Sequence, residues 1–318
     1  MKNRSLVLLS GEGSTIPQAE AKALFLAYDP DSSFESPEPR ILIAGSAADP
    51  VRVGSRIAFA RRVGELIEER HELRERLSGR RVRFRGFDLH EVGAVPDPDE
   101  YLEGADVVVD LVDPEFEVTL VRGARDYLAL TAPGGMRQGW SLRRPRKRPF
   151  FHPSAMFPKL SRALVNLTRC LEGDVFLDPF AGTGSIPMEA RMVGAEVVAV
   201  DLVERMARGS LANMRHFGQE WLGVIRADSA KLPLRKVGAV ATDIPYGRAS
   251  STRGRLPREM LDLLLPALAS VTSSRSLMAV MHPQDVPLTG TREFSVLEEH
   301  RLHVHKLLTR AITVLERR

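Results

Sequence analysis

From residue 175 to the end of the chain, short apolar runs alternate with segments whose apolar positions repeat at helical spacing. The runs predict strands at 175–178, 196–200, 223–227, 238–242 and 276–281, and the segments predict helices at 186–193, 203–217 and 257–269. This alternation predicts a Rossmann-like α/β domain with a mostly parallel sheet and helices on both faces. Two further runs, 293–305 and 310–316, predict an antiparallel hairpin that closes one edge of the sheet.

The first half of the chain has a different pattern, in which the predicted elements are short and charges are frequent. We predict strands at 5–10 and 40–44, a helix at 16–28 and a second helix over 53–70, where apolar and charged residues have helical spacing. We interpret this pattern as an α+β, ferredoxin-like layer. Further strands are predicted at 81–85, 106–112 and 115–121. We expect an N-terminal domain over 1–64, a second one over 65–135, a basic linker over 136–150 and a catalytic domain over 151–318.

The basic charge of the chain is concentrated between its two halves. The 318 residues carry a formal net charge of +4, but residues 1–135 hold 17 basic and 24 acidic side chains, whereas residues 136–170 hold nine basic and no acidic ones. Such a segment predicts contact with a polyanion, with a solvated linker as the alternative. Aromatic residues follow the basic run, which favours RNA. The candidate RNA-binding residues are Arg143, Arg144, Arg146, Lys147, Arg148, Lys159 and Arg248.

The remaining composition excludes several classes of protein. A single cysteine, Cys170, excludes a disulfide framework and makes a metal cluster unexpected. The apolar run after Met1 is too short for a signal peptide, and no run approaches the ~20 residues of a membrane span. We therefore expect a cytoplasmic protein that needs neither a metal nor a membrane.

The stretch 175–185 predicts a ligand-binding turn between a strand and a helix. Gly182 and Gly184 allow a tight turn and a close approach of backbone to ligand, and Ser185 is a candidate N-cap. Pro187 stands where a dinucleotide-binding fingerprint requires its third glycine, so a ligand without a pyrophosphate fits better. Taken alone, the loop is equally compatible with a plain tight connection.

Acidic residues at the ends of neighbouring predicted strands complete a nucleoside pocket. Asp201 comes 23 residues after Asp178, where a carboxylate can accept both hydroxyls of a ribose. Asp228 follows the third strand and can accept a hydrogen bond from an adenine amino group. An adenosine joined to an amino acid, as in S-adenosylmethionine, fits this pocket. The candidate cofactor-binding residues are Asp178, Pro179, Phe180, Ala181, Gly182, Thr183, Gly184, Asp201, Leu202, Asp228 and Ser229.

The residues Asp243, Ile244, Pro245 and Tyr246 follow the fourth predicted strand and are the candidate catalytic residues. The lone pair of an amino group on an aromatic base is delocalised into the ring, so its methylation needs acceptors that hold the N–H bonds and favour a pyramidal nitrogen. The Asp243 carboxylate and the Ile244 carbonyl offer two acceptors, and Tyr246 offers a ring for stacking an extruded base. Pro245 biases Ile244 toward an extended conformation.

These motifs resemble those of known families. Residues 107–121 resemble the signature of THUMP domains, which are RNA-binding modules that usually follow a ferredoxin-like domain in tRNA-modifying enzymes. Asp178–Gly184 and Asp243–Gly247 resemble motifs of amino methyltransferases, and His305–Arg310 extends the match. Together they resemble the archaeal tRNA (guanine-10-N2) methyltransferase family. This resemblance implies a THUMP domain over 65–135, S-adenosylmethionine as cofactor, tRNA as partner, and one or two methyl groups added to guanine N2.

Two alternatives stay open at this point. A THUMP-type methyltransferase can act on another tRNA or rRNA guanine or on adenine N6, and a non-catalytic RNA-binding protein can retain a vestigial pocket. The glycines and carboxylates of a working pocket are all present, which favours an enzyme. Ile244 stands where the family motif has the first of two prolines, a change that we expect to be tolerated if only its carbonyl is used. A small helper subunit is compatible with the resemblance.

Overall fold

The chain divides into an N-terminal unit, Met1–Gly13 with Pro17–Gln138, and a C-terminal unit, Ser14–Ile16 with Gly139–Arg318. The computed structural model describes residues 3–12, 14–90, 97–102, 106–131, 133, 136, 139–246, 254–305 and 308–318. In its described part, each unit is built on one β-sheet with apolar clusters packed against it.

The first part of the N-terminal unit has the order strand, helix, two strands, helix, strand. Its elements are β1 (Asn3–Leu9), α1 (Ile16–Tyr28), β2 (Ser33–Glu38), β3 (Ile41–Ser46), α2 (Pro50–Arg56) and β4 (Ala60–Ile67). The strands pair antiparallel in the order β2–β3–β1–β4. Leu24 and Phe25 of α1 and Val53 of α2 pack together against these strands. This is the ferredoxin-like arrangement that the sequence predicts.

A second group of elements extends the same sheet. It consists of α3 (Arg70–Leu77), β5 (Arg80–Asp88), α4 (Asp99–Leu102), β6 (Val107–Val109), β7 (Phe116–Arg122) and β8 (Asp126–Thr131). Because β4 pairs with β8, the eight strands form one sheet in the order β2–β3–β1–β4–β8–β7–β5–β6. The predicted boundary between residues 64 and 65 falls inside β4, so the two expected N-terminal domains share this strand.

The helix predicted over 53–70 is correct for residues 53–56, which belong to α2, and is wrong for residues 60–67, which form β4. The Glu20 carboxylate of α1 accepts hydrogen bonds from the backbone N–H groups of Ala58 and Phe59, at 2.9 and 2.8 Å, directly after α2 ends. These bonds hold the chain in a turn, and residues 60–67 then pair with β1. A mixture of apolar and charged residues fits helical and strand spacing equally well, and pairing with a distant strand decides between them.

The C-terminal unit has the predicted mixed sheet. Two 3₁₀ turns (Trp140–Arg143 and Pro145–Lys147) precede α5 (Pro158–Leu167), β9 (Val175–Asp178), α6 (Ser185–Met192), β10 (Glu196–Asp201), α7 (Glu204–His216), β11 (Gly223–Arg226), β12 (Val237–Asp243), α8 (Pro257–Val271), β13 (Thr272–Pro283), β14 (Phe294–His305) and β15 (Leu308–Arg317). The sheet order is β11–β10–β9–β12–β13–β15–β14. The first five of these strands are parallel, and β15 and β14 form an antiparallel hairpin at the edge. The predicted Rossmann-like class is confirmed.

The order of the strands creates a crevice at one edge of this sheet. β9 pairs with β10 on one side and with β12 on the other, so the direction of winding reverses beside β9. The loops that follow these strands therefore diverge and leave an opening. Asp178, Asp201 and Asp243 are the last residues of β9, β10 and β12, which brings all three carboxylates to this edge.

Candidate active site

A cavity of about 610 Å³ lies at this edge of the sheet. The predicted residues on its wall are Asp178, Pro179, Phe180, Ala181, Gly182, Thr183, Asp201, Leu202, Asp228, Ser229, Asp243, Ile244, Pro245 and Tyr246. The structure thus brings the predicted catalytic residues and nearly all the predicted cofactor residues into one space. Residues 152–156 form a further part of the wall and were not predicted from the sequence.

The glycine loop requires its two glycines for different reasons. Both have left-handed backbone conformations, with φ of 53° at Gly182 and 81° at Gly184. A Cβ at Gly184 would lie 2.8 Å from the Trp221 ring and 3.1 Å from the Ser210 Cβ, so this residue packs on the protein rather than on the cavity. At Gly182 the nearest atom to such a Cβ is the Phe180 carbonyl oxygen, at 4.0 Å, which leaves the backbone open to a ligand.

The Asp201 carboxylate holds the glycine loop in place. Its Oδ2 accepts a hydrogen bond from the Gly182 backbone N–H at 2.9 Å, and its Oδ1 accepts one from Val203 at 2.8 Å. Burial raises the pKa of Asp201, and these two backbone hydrogen bonds oppose the rise. Because a carboxylate has about four lone-pair sites, both oxygens can still accept from a ligand.

Asp178 is fully buried and ties β9 to β12. Its Oδ1 accepts hydrogen bonds from the Thr242 hydroxyl at 2.7 Å and from the Phe180 backbone N–H at 3.0 Å. Burial raises the pKa of Asp178 to about 7, and the negative charges of Asp201 and Asp243 add to this rise. The carboxylate therefore shapes the start of the glycine loop, and direct contact with a cofactor remains a prediction.

Asp228 has a partner that the sequence did not predict. The Arg255 guanidinium donates to both of its carboxylate oxygens, at 3.1 and 3.0 Å. Both residues line the cavity. The predicted acceptor for an adenine amino group is therefore already paired with the planar fork of a guanidinium.

The Ile244 peptide is fixed between the core and the cavity. Its N–H donates to the Met281 carbonyl at 2.8 Å, and its side chain is fully buried in the core of the sheet. An isoleucine can therefore replace the proline of the family motif, because its side chain fills the core and the residue still lines the cavity.

Asp243 and Tyr246 contact an arginine on β15, a strand that is separated from β12 by β13. The Arg310 side chain of β15 is 1% exposed and donates from Nη2 to the Asp243 Oδ1. Its guanidinium carbon lies 3.8 Å from the centre of the Tyr246 ring. Burial raises the pKa of Asp243 to about 6, and the charge and hydrogen bond of Arg310 oppose this rise. Arg310 ends the stretch 305–310 that extends the family resemblance, but no role for it was predicted from the sequence.

The hypothesis that Arg143 and Arg148 contact RNA is corrected by their burial. Arg143 donates from Nε and Nη2 to the two carboxylate oxygens of Glu189, at 2.7 and 3.2 Å. Arg148 is also buried, and it donates to the Ser185 hydroxyl and to the Arg143 carbonyl. The prediction that Ser185 is the N-cap of α6 is wrong: Gly184 occupies that position, and Ser185 is the first residue of the helix. Its hydroxyl accepts a hydrogen bond from Arg148.

The other predicted RNA-binding cations have different surroundings. Arg144, Arg146 and Lys147 are exposed, and Lys159 is half-buried. Arg248 lies outside the described residues. The segment predicted as a linker therefore begins the C-terminal unit from residue 139 onward, with two arginines turned inward and three cations turned to solvent.

The described residues were also compared with the requirements for a membrane-spanning helix and for a metal site. Within the ranges that the structure describes, no helix has the length and apolar character needed to cross a membrane. In the same part of the chain, no group of three or more His, Cys, Asp or Glu side chains has the arrangement needed to hold a metal ion.

The sheet order, the crevice and the glycine loop define the class I methyltransferase fold, and comparison with known proteins agrees. The crystal structure of TrmN from Thermus thermophilus matches with a TM-score of 0.51 and 18% identity, over 99% of this chain and 100% of that one. A family model described as "RMKL-like, methyltransferase domain" matches residues 145–310.

Two sequence relatives are more specific. A tRNA (guanine(10)-N2)-dimethyltransferase of Methanothermobacter thermautotrophicus is 34% identical over 334 residues, which covers 98% of this chain and 99% of the relative. A protein of the same name from Pyrococcus abyssi is 30% identical over 218 residues, covering 66% of this chain and 64% of the relative. The chain belongs to this family of tRNA (guanine(10)-N2)-dimethyltransferases.

Proposed function

We propose that the protein transfers methyl groups from S-adenosylmethionine to the exocyclic N2 of guanine 10 in tRNA. The observation that carries this proposal is the arrangement of the Asp243 carboxylate, the Ile244 carbonyl and the Tyr246 ring on the wall of a cavity that also contains the glycine loop. These groups are two hydrogen-bond acceptors and one stacking surface, which is what an aromatic amino group requires.

The cavity residues fit S-adenosylmethionine. The open face of Gly182 allows a ligand to contact the backbone, and the Asp201 carboxylate at the end of β10 suits the hydroxyls of a ribose. When bound, this cofactor supplies an electrophilic methyl group. The other predicted cofactor residues except Gly184 line the same cavity, which supports their assignment to the cofactor.

In the proposed mechanism, the protein positions the amino group and provides acceptors for its protons. The Asp243 carboxylate accepts a hydrogen bond from one N–H of the guanine amino group, and the Ile244 carbonyl accepts one from the other N–H. The Tyr246 ring stacks on the base. The N–H bonds then point at fixed acceptors, and the lone pair of the nitrogen is free to attack. Asp243, whose pKa is raised to about 6, takes up the proton that the nitrogen loses after methylation.

The choice of tRNA and of guanine 10 rests on the family. Its members named above are dimethyltransferases of this position. We assign residues 1–64 to a ferredoxin-like domain and 65–135 to a THUMP domain that binds the tRNA, and Arg144, Arg146 and Lys147 to contacts with its phosphates. We also place the enzyme in the cytoplasm.

The test is methylation of a defined tRNA by the purified chain alone. Incubation with S-adenosylmethionine and an unmodified tRNA transcript, followed by mass spectrometry of the nucleosides, should give N2-methylguanosine and N2,N2-dimethylguanosine. A transcript in which adenine replaces guanine 10 should give neither. N6-methyladenosine, or tRNA binding without methylation, would contradict the proposal in favour of the alternatives. Activity without a second protein would show that no helper subunit is required.

A further inference from the structure

Arg310 is a buried arginine that contacts the proposed amino-binding groups from one side. It lies on β15 opposite Pro283, the last residue of β13, and β13 in turn pairs with β12. The guanidinium therefore reaches across the end of β13 to Asp243, the last residue of β12, and to the residues that follow it.

Three contacts connect this guanidinium to the proposed catalytic residues. Its Nη2 donates to the Asp243 carboxylate and lies 3.4 Å from the Ile244 carbonyl oxygen, and its carbon lies 3.8 Å from the centre of the Tyr246 ring. Asp243, Ile244 and Tyr246 all line the cavity, whereas Arg310 is not among the described residues that form its wall. The arginine thus lies behind the three groups, and their cavity sides are left for a substrate.

We infer that Arg310 is a positioning residue for methyl transfer, which holds the Asp243 carboxylate, the Ile244 carbonyl and the Tyr246 ring in the arrangement that receives the amino group. The inference rests on the proposed function. A guanidinium suits this task because it is planar and can stack on a ring while its N–H groups donate in fixed directions.

The guanidinium also favours the charged form of Asp243. Burial raises the pKa of Asp243, whereas the charge and hydrogen bond of Arg310 lower it, and the charge of Asp243 in turn raises the pKa of Asp178 on β9. Among the charged groups beside Arg310 itself, His282 of β13 has a pKa lowered by burial, and Glu299 of β14 acts on that histidine. Without the guanidinium, burial would favour the neutral acid, which is a poor acceptor for an N–H bond.

The experiment compares Arg310→Lys and Arg310→Met with the wild-type chain by single-turnover methylation of tRNA across a range of pH. In the wild type the rate should fall as the pH drops through about 6, where Asp243 takes up a proton. In Arg310→Met the pH at which the rate falls should rise by at least about one unit, because the compensating charge is removed. In Arg310→Lys that pH should stay the same while the rate falls about tenfold, because an ammonium keeps the charge but cannot stack on the ring as a planar group.

Arg317→Met is the matched control. Arg317 is also on β15, also lies over a ring (Phe294, at 5.6 Å) and also donates to a carbonyl, but it is seven positions further along the strand. Its variant should keep the wild-type pH profile. The affinity for S-adenosylhomocysteine, measured by calorimetry, reports whether each variant keeps a folded cavity.

The outcomes separate this inference from the proposed function. An inactive wild type would overturn both. An active wild type together with an Arg310→Met variant that loses activity equally at every pH would overturn the inference alone, since that result indicates a purely structural arginine. If Arg310→Met does not fold, the lysine variant decides: a rate equal to that of the wild type would overturn the inference.

Discussion

Two clusters of buried or half-buried charge in the C-terminal unit have opposite compositions. In the first, arginines outnumber carboxylates: Arg143 and Arg162 both donate to Glu189, which is 1% exposed. Arg148 lies close enough for the charges of Glu189 and Arg143 to act on it, and burial lowers its pKa to about 10. The Trp140 ring lies 5.1 Å from the guanidinium carbon of Arg143 and 5.5 Å from that of Arg162.

In the second cluster, carboxylates outnumber arginines. Asp178, Asp201 and Asp243 end neighbouring strands, and among the residues that the structure describes Arg310 forms an ion pair with Asp243. The pKa values of all three carboxyls are raised by burial. The Asp243 side chain is 28% exposed, on the wall of the cavity.

The difference distinguishes a structural ion pair from a binding site. Glu189 has its lone pairs directed at guanidinium groups and is enclosed, so it fixes the turns at 140–147 against α5 and α6. Asp243 has one arginine behind it and an open side toward the cavity. A carboxylate that is under-compensated and accessible can accept hydrogen bonds from a ligand.

The largest effect expected from this comparison is on stability. Glu189→Gln leaves buried guanidinium groups without an anion and should lower the free energy of unfolding by about 3–5 kcal/mol in chemical denaturation. Glu196→Gln is the control, because the Arg191–Glu196 pair is half-exposed, with side chains 30% and 41% accessible; it should cost less than about 1 kcal/mol. Equal losses in the two variants would contradict the structural role of the Glu189 cluster.

A change in the second cluster should raise the free energy of unfolding instead of lowering it. Asp178 has a pKa of about 7 in the folded chain against an ordinary 3.8, so its contribution to stability is complete below about pH 3.8 and is lost as the pH rises through 7. Asp178→Asn keeps an oxygen for Thr242 and Phe180 and should raise the free energy of unfolding by about 1–2 kcal/mol at about pH 8. The gain should shrink toward acidic pH in denaturation series. A variant that is less stable than the wild type at every pH would refute this.

The smallest expected effect concerns the cations of residues 140–148 that are not buried. Replacing Arg144, Arg146 and Lys147 together by alanine should weaken tRNA binding by about tenfold and reduce the slope of its salt dependence by about 0.9 for each phosphate that is no longer neutralised. Because these side chains are exposed, the free energy of unfolding should change by less than about 0.5 kcal/mol per residue. Filter binding at several salt concentrations measures the affinity for tRNA and its salt dependence. An unchanged affinity would show that the three cations do not contact the tRNA.

The sequence predicted the parts of the site that depend on local patterns. The strands of the C-terminal unit, the glycine loop and the motif at Asp243 could be located because apolar periodicity changes at a glycine or an acidic residue where each strand ends. The elements predicted within residues 3–67 indicated the ferredoxin-like layer, although β2 was missed and β4 was predicted as helix; later in the chain, β8 was also missed. β2 is rich in polar residues and proline, which are unusual in strands.

What could not be predicted depends on residues far apart in the chain. Arg310 and Asp243 are 67 positions apart, and Arg143 and Glu189 are 46 apart. A run of arginines has the same letters whether its members point to solvent or to a buried glutamate, so the burial of Arg143 and Arg148 was not visible in composition. The bidentate pair of Asp228 with Arg255 was hidden for the same reason.

The most direct test of the proposed chemistry is the rate of methyl transfer by Asp243→Asn in a single turnover, with S-adenosylmethionine and tRNA both saturating. The asparagine keeps the shape of the side chain but removes its charge, so we expect the rate to fall by about 10²–10³-fold, as when another group that stabilises a transition state is removed. The affinities for S-adenosylhomocysteine and for tRNA should remain within about threefold of the wild type. A rate equal to that of the wild type would contradict the claim that this carboxylate holds the amino group for methylation.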